Sequence, residues 1–125
     1  MYKFYLTNTK TMKTIIAGSR NIHDYNLLLN AVAEANMVIT EVVSGGAGGV
    51  DALGEKYARA NGLALKVFPA AWGTHGRAAG PIRNAQMAEY ADQLIAVWDG
   101  KSPGTKSMID LARKNQLAVY VYRTE

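Results

Sequence analysis

Five short apolar runs recur along the chain: Thr14-Ile15-Ile16-Ala17, Met37 to Val43, Leu63 to Phe68, Leu94 to Trp98 and Leu117 to Tyr122. The intervals between them carry helical patterns. One runs from His23 or Asp24 to about Asn36, with Leu27, Leu28, Val32 and Ala35 as its apolar stripe. The second runs from Val50 to Asn61, with Leu53, Tyr57 and Ala60 at helical spacing. A third starts near Pro81 and continues through Met87 and Tyr90, and a fourth covers about Thr105 to Lys114. Strand and helix alternating at this spacing require parallel pairing with right-handed crossovers. The runs are continuous rather than alternating in polarity, as strands covered on both faces should be. The pattern therefore predicts an α/β fold: a single doubly wound parallel sheet sandwiched by helices.

Two segments break the rhythm. In residues 1–12, Tyr2, Phe4 and Leu6 alternate with Lys3, Tyr5 and Thr7. That is the pattern of an edge strand in a short extension, ahead of a domain over residues 13–125. Ala70 to Gly80 reads as a long Gly- and Ala-rich loop carrying Trp72, His75 and Arg77, and loops of that length in a compact domain usually serve function.

The richest punctuation follows the second run, where Val42-Val43-Ser44-Gly45-Gly46-Ala47-Gly48-Gly49-Val50-Asp51 crowds four glycines into five residues. Glycines allow left-handed turns and remove the Cβ atoms that would hold a ligand away. The N–H groups of such a turn, and of the helix after it, suit an anion. A plain strand-to-helix turn needs fewer glycines, and the flanking strand and helix supply the context a phosphate site requires.

In a doubly wound sheet, ligands bind beyond the carboxyl ends of the strands near the topological switch point. This chain places Gly18-Ser19-Arg20, Ser44 to Asp51, Trp72 to Arg83, and Asp99 to Thr105 at those ends. Arg20 can meet a phosphate with its planar fork of donors, Arg83 adds charge to a helix terminus that already favours anions, and Arg77 sits in the loop. Each is also an acceptable surface arginine. Asp51, in a first helical turn, stabilises the helix or hydrogen-bonds a ribose hydroxyl or the loop. Glu55 has Arg59 four residues on as an ion-pair partner. Ser102, Gly104 and Thr105 form a second small-residue anion loop, with Thr105 also a good N-cap. His75 has no acid or nucleophile at a readable spacing, and Trp72 suits either a base-stacking role or a loop anchor.

The chain has no cysteine, which excludes disulfide and zinc-thiolate frameworks and fits a reducing compartment. No apolar run reaches membrane-spanning length and no signal-peptide core is present, so a cytoplasmic protein is expected. The net charge of +4 is spread over scattered Lys and Arg. It suits an anionic small ligand at least as well as a nucleic acid, which usually calls for a basic stripe.

Ile15-Ile16-Ala17-Gly18-Ser19-Arg20, Ser44 to Asp51, Ala79-Gly80-Pro81-Ile82-Arg83-Asn84-Ala85-Gln86-Met87 and Gly104-Thr105 together resemble the SLOG superfamily, in its YspA/YpsA-related branch. The resemblance runs from Lys13 nearly to the C-terminus. It implies a Rossmann-like fold that binds a nucleotide or nucleotide-derived ligand in a sensing, carrying or sequestering role. The ligand-binding set is then Gly18, Ser19, Arg20, Ser44, Gly45, Gly46, Gly48, Gly49, Asp51, Arg77, Arg83, Asn84, Gly104 and Thr105. No metal and no required cofactor are implied. Self-association into a homodimer or larger homo-oligomer is a further expectation, with the aromatic N-terminal segment available to pair across subunits.

The superfamily also includes the Lonely-guy (LOG) phosphoribohydrolases and the DNA-processing protein DprA. In the LOG signature an arginine a few residues before a methionine is joined to a PGGxGTxxE loop. Arg83 and Met87 match the first half and Gly104-Thr105 part of the second. Met108 stands at the position of the glutamate, Pro103 directly precedes Gly104, and Asp110 would point off around the helix. A LOG-like N-glycosidic hydrolase, with Asp51, Glu55 or Asp99 in place of the missing carboxylate, is therefore the alternative expectation. Single-stranded DNA binding of the DprA kind ranks below it, and catalytic residues stay unassigned.

Overall fold

The structure is a computed structural model that describes residues 10–125. The edge strand expected over Tyr2 to Thr7 lies outside the described residues. Five parallel strands form one sheet: β1 (Lys13–Gly18), β2 (Glu41–Ser44), β3 (Ala64–Val67), β4 (Gln93–Trp98) and β5 (Ala118–Arg123), in the order β3-β2-β1-β4-β5. Four long helices make the crossovers: α1 (Tyr25–Ala35), α2 (Val50–Ala60), α4 (Ala79–Tyr90) and α5 (Pro103–Lys114). A one-turn helix, α3 (Trp72–His75), and a 3-10 turn (Gly76–Ala78) lie between β3 and α4. This is the doubly wound, Rossmann-like arrangement.

Alternation along the central strands divides the core. Ile15, Ala17, Val43, Leu94 and Ala96 face α4 and α5, where Met87, Ala88, Met108, Ile109 and Ala112 meet them. Ile16, Val42, Ile95 and Val97 face α1 and α2, packing on Leu28, Ala31, Val50 and Ala58. Both faces of β1 and β4 are thus buried, which is why their sequences carry no polar alternation. β3 and β5 are edge strands and correspondingly more exposed.

Several element bounds differ from the sequence expectation. β2 begins at Glu41, and Met37 to Thr40 form a connection in which Met37 and Ile39 still pack on the α1–α2 core. The predicted Ala70–Gly80 loop holds α3, the 3-10 turn and the start of α4, so Pro81 sits in the first turn of a helix already under way. A proline there removes an N–H that has no helical partner anyway. α5 begins at Pro103 with Ser102 at the N-cap, so Thr105 is inside the first turn instead of capping it. The first helix agrees: Asp24 caps it by accepting from the Asn26 N–H at 2.9 Å, and Asn36 closes it with φ 52°. Among the described residues no helix is long and apolar enough to cross a membrane.

Candidate functional site

Strand order reverses between β1 and β4, and a cleft of about 490 Å3 opens beyond their carboxyl ends. Its size lies within the range of small-molecule sites. Gly18, Ser19, Arg20 and Asn21 line it from the turn after β1, and Asp99 and Ser102 from the turn after β4. Ala47 and Asp51 line it from the glycine loop and α2, Arg83, Asn84 and Met87 from α4, and Pro103, Gly104, Thr105 and Met108 from α5.

The turn after β1 is held from beneath. Ser19 is buried: its N–H donates to Val97 O at 3.2 Å, its carbonyl accepts from the Val50 N–H at 3.3 Å, and its Oγ accepts from the Asp99 N–H at 3.2 Å. Ser19 therefore ties the ends of β1, β4 and α2 together, and Arg20 projects from that knot at an exposed position. An added Cβ on Gly18 would overlap Val97 O, and one on Gly49 would overlap the Ser19 carbonyl. Gly49 also has φ +67°, a conformation that side chains disfavour.

The glycine loop does something other than present a row of free amides. The Gly46 N–H donates to Ser44 Oγ at 3.1 Å, and the Ala47 N–H to Asp51 Oδ2 at 3.1 Å. Ser44 Oγ in turn donates to Glu55 Oε2 at 2.7 Å, while Arg59 pairs with the other oxygen of Glu55 at 3.5 Å. Ser44 is fully buried under the loop and lines neither this cleft nor the smaller cavity beside it, and its Oγ braces the loop from below. Gly45 carries the decisive contact: its carbonyl accepts from Arg83 Nη1.

Arg83 and Asp51 meet over Gly45. Arg83 Nε donates to Asn84 Oδ1 at 3.0 Å, and Asn84 Nδ2 donates to Gly104 O at 3.4 Å, which couples α4 to the α5 loop. Burial lowers the Arg83 pKa, Asp51 opposes that change, and Arg20 adds to it by like-charge repulsion. Asp51 is 7% exposed, and burial pushes its carboxyl up to about 6. The Ala47 N–H, Arg83 and Arg20 pull it down, and Glu55 pushes it up. The Asp99 carboxyl is held low by the Ser102 and Lys101 N–H groups, each donating to Oδ1 at 2.8 Å. Thr105 is buried at the cleft wall, its Oγ1 donating to Ser102 Oγ at 3.2 Å.

Of the residues expected to bind ligand, Gly18, Ser19, Arg20, Asp51, Arg83, Asn84, Gly104 and Thr105 converge on this cleft. Gly45, Gly46 and Gly48 face a smaller cavity beside it, Gly49 packs on the Ser19 turn, and Arg77 is exposed and lines neither cavity. Asn21 was missed by sequence reasoning although it adjoins Arg20, and Pro69 gave no signal beyond ending the third apolar run, whereas Ala70 opens the loop expected to serve function. Asp110 points away, paired with Lys106 at 2.8 Å on the exposed face of α5. Among the described residues no group of three His, Asp or Glu side chains is placed to hold a metal ion.

Residues 12–75 match the family model described as YspA, cpYpsA-related SLOG family. That segment holds the β1 turn, the glycine loop and Asp51, and ends before Arg83, Asn84 and the α5 loop. The chain is also 31% identical over 116 residues to the Gene 61 protein of Mycobacterium phage D29, covering 86% of this chain and 93% of that protein. No solved structure gives a significant match. The match over 12–75, with the likeness to the phage protein over most of both chains, establishes that this chain belongs to the YspA, cpYpsA-related SLOG family.

Proposed function

We propose that the protein binds a nucleotide or nucleotide-derived ligand in the cleft at the carboxyl ends of β1 and β4, as a sensor, carrier or sequestering protein. The observation that carries this reading is the convergence of Arg20 and Arg83 on one wall of a cleft at the switch point. Guanidinium groups supply the planar donors that phosphate oxygens accept. Asn84, Thr105 and Asp51 then offer polar partners to ribose hydroxyls around the same space. The test is thermal stabilisation by a panel of nucleotides. A ligand at about 100 times its dissociation constant adds about 2.7 kcal/mol. Arg20 is exposed, so Arg20→Ala is expected to keep the fold and lose most of that gain. A panel in which no nucleotide raises the melting temperature would count against the reading.

Asp51 supports a second reading, that the bound nucleotide is cleaved. Glu55 is engaged by Ser44 and Arg59 away from the cleft, and the Asp99 carboxyl is held low by two backbone N–H groups. Asp51 lines the cleft with its carboxyl raised to about 6, the range in which a side chain both holds and gives up a proton near neutrality. In that role protonated Asp51 gives its proton to the leaving base nitrogen as water adds to the anomeric carbon. The proton lost by that water restores the acid. Free base released from nucleoside monophosphates by the parent and not by Asp51→Asn would establish it; no release by the parent would dismiss it.

A further inference from the structure

A second cavity of about 250 Å3 lies across the glycine loop from the main cleft. Gly45 to Gly48 form one side, and Pro69, Ala70 and Trp72 the other. Arg20, Ala47 and Arg83 line both cavities, so the two share a cationic wall. The charge on that wall is unbalanced: Arg20 repels Arg83, Asp51 is the carboxylate beside Arg83, and Arg20 forms no ion pair among the described residues. An anion with more than one charged group would relieve that repulsion from both sides.

The far side of the smaller cavity has different chemistry. Trp72 is 52% exposed, and it is the aromatic member of the exposed large hydrophobic side chains among the described residues. Its neighbours there are Pro69, Ala70 and loop glycines, none of which carries a side-chain donor, so the polar lining of the cavity comes from the loop backbone and from Arg20 and Arg83. A space smaller than most whole-ligand sites, walled by one open indole, suits a single planar ring system.

We infer that Trp72 forms a second, ring-stacking subsite, so that the ligand is a two-part nucleotide: its pyrophosphate crosses the Arg20–Arg83 wall, one nucleoside occupies the main cleft, and a second base or other planar ring stacks on Trp72. The inference rests on the nucleotide-binding reading and names the ligand class for it. Stacking on an aromatic side chain is tolerant of base identity, so the subsite selects for the presence of a second ring more than for its kind.

The experiment measures affinities of the full chain for adenosine, guanosine, cytidine and uridine 5′-monophosphates, and for the symmetrical dinucleoside pyrophosphate of each. At least one pyrophosphate is expected to bind about tenfold or more tightly than its own monophosphate. It should also quench the emission of Trp72 in a Trp98→Phe background. Trp72 lies outside the core, so Trp72→Ala should fold normally, erase the advantage of the pyrophosphate and leave the monophosphate affinity unchanged. Equal binding of the two classes, or an equal loss of both in Trp72→Ala, overturns the subsite and leaves the nucleotide reading standing. Binding of none of these compounds removes both.

Discussion

Asp51 shows how a residue read correctly for position and for its bond to the loop, where it accepts from the Ala47 N–H, can carry chemistry that position alone does not disclose. A carboxylate in a first helical turn is ordinarily stabilised as an anion. Here the helix starts beneath the glycine loop, and burial outweighs the Ala47 N–H and both arginines, raising the carboxyl to about 6 from 3.8. The folded protein therefore retains a proton that the unfolded chain releases. The stability from this group is fully present below about pH 3.8 and is lost as the pH rises through about 6. That shift corresponds to about 3 kcal/mol. Asp51→Asn, neutral throughout and still able to accept from Ala47, should melt with the parent near the acid end of this window. Above it, the variant should be more stable by up to that amount. Thermal melts across the window check this, and a variant that falls further below the parent as the pH rises would show instead that Arg83 holds Asp51 as an anion. The glycines make a second contrast at this scale. A Cβ on Gly45 would lie 2.5 Å from Arg83 Nη1 and 2.9 Å from Asp51 Oδ2, whereas one on Gly48 would meet nothing within 4 Å. Neither has positive φ, so backbone strain is equal and only the site differs. Gly45→Ala is expected to displace Arg83 and abolish nucleotide-induced stabilisation, while Gly48→Ala preserves it; melting curves with and without nucleotide distinguish them.

At the level of elements, periodicity located all four long helices and the five strands because both faces of the sheet demand continuous apolar runs. The misplaced boundaries have different causes. Met37 and Ile39 bury apolar surface without joining the ladder, so hydrophobicity alone extended β2 toward the N-terminus by four residues beyond Glu41. Burial and strand pairing leave the same mark on a sequence. Between Ala70 and Gly80, glycine and alanine composition suggested a loop, but alanines tolerate helix well, Gly73 and Gly76 fall within short turns, and Gly80 lies in the first turn of α4. For α5, the good capping chemistry of Thr105 outweighed Pro103, though a proline at the first helical position is itself a start signal. Starting the helix at Pro103 places Thr105 and Met108 on one face, both buried and both at the cleft wall, with Asp110 on the other. The glutamate position of the LOG signature therefore does face the site, and this chain fills it with an apolar side chain that also belongs to the core. The arrangement of α4 and α5 was legible, and so was Asp51 as a hydrogen-bond partner of the loop, met by the Ala47 N–H; the Ser44–Glu55 bond was not, because side chains eleven residues apart leave no periodic trace.

Across the whole molecule, chemistry and rigidity are divided between the two ends of the sheet and between its centre and edges. The net charge of +4 forms no stripe: Lys56 lies over Tyr25, Lys66 over Phe68, Arg123 over Trp98 and Lys13 over Tyr90, on several different elements. Those cations are dispersed onto aromatic faces, whereas Arg20 and Arg83 are gathered at one cleft. Such a distribution suits a small anion better than a nucleic-acid backbone, whose binding draws on many cations along one surface. The opposite end of the sheet is closed by contacts of another kind: Met12 N–H to Thr40 Oγ1 at 2.7 Å, Lys13 N–H to Asp92 Oδ2 at 2.9 Å, and Gln93 Nε2 to Thr14 Oγ1 at 2.7 Å. These fasten neighbouring elements and leave no comparable cavity lining among the described residues. Amide hydrogen exchange should report this division. In the free protein β1 and β4, buried on both faces, should exchange slowest, and the exposed segment from Trp72 to Ala78 fastest. Saturation with a stabilising nucleotide should slow exchange around Ser19 to Asn21, Gly45 to Gly48 and Gly104 to Thr105, and leave Thr40 and Asp92 unchanged. Slowing centred on Thr40 and Asp92 instead would place the ligand at the wrong end of the sheet, and with it would fall the assignment of Arg20 and Arg83 as its anchors.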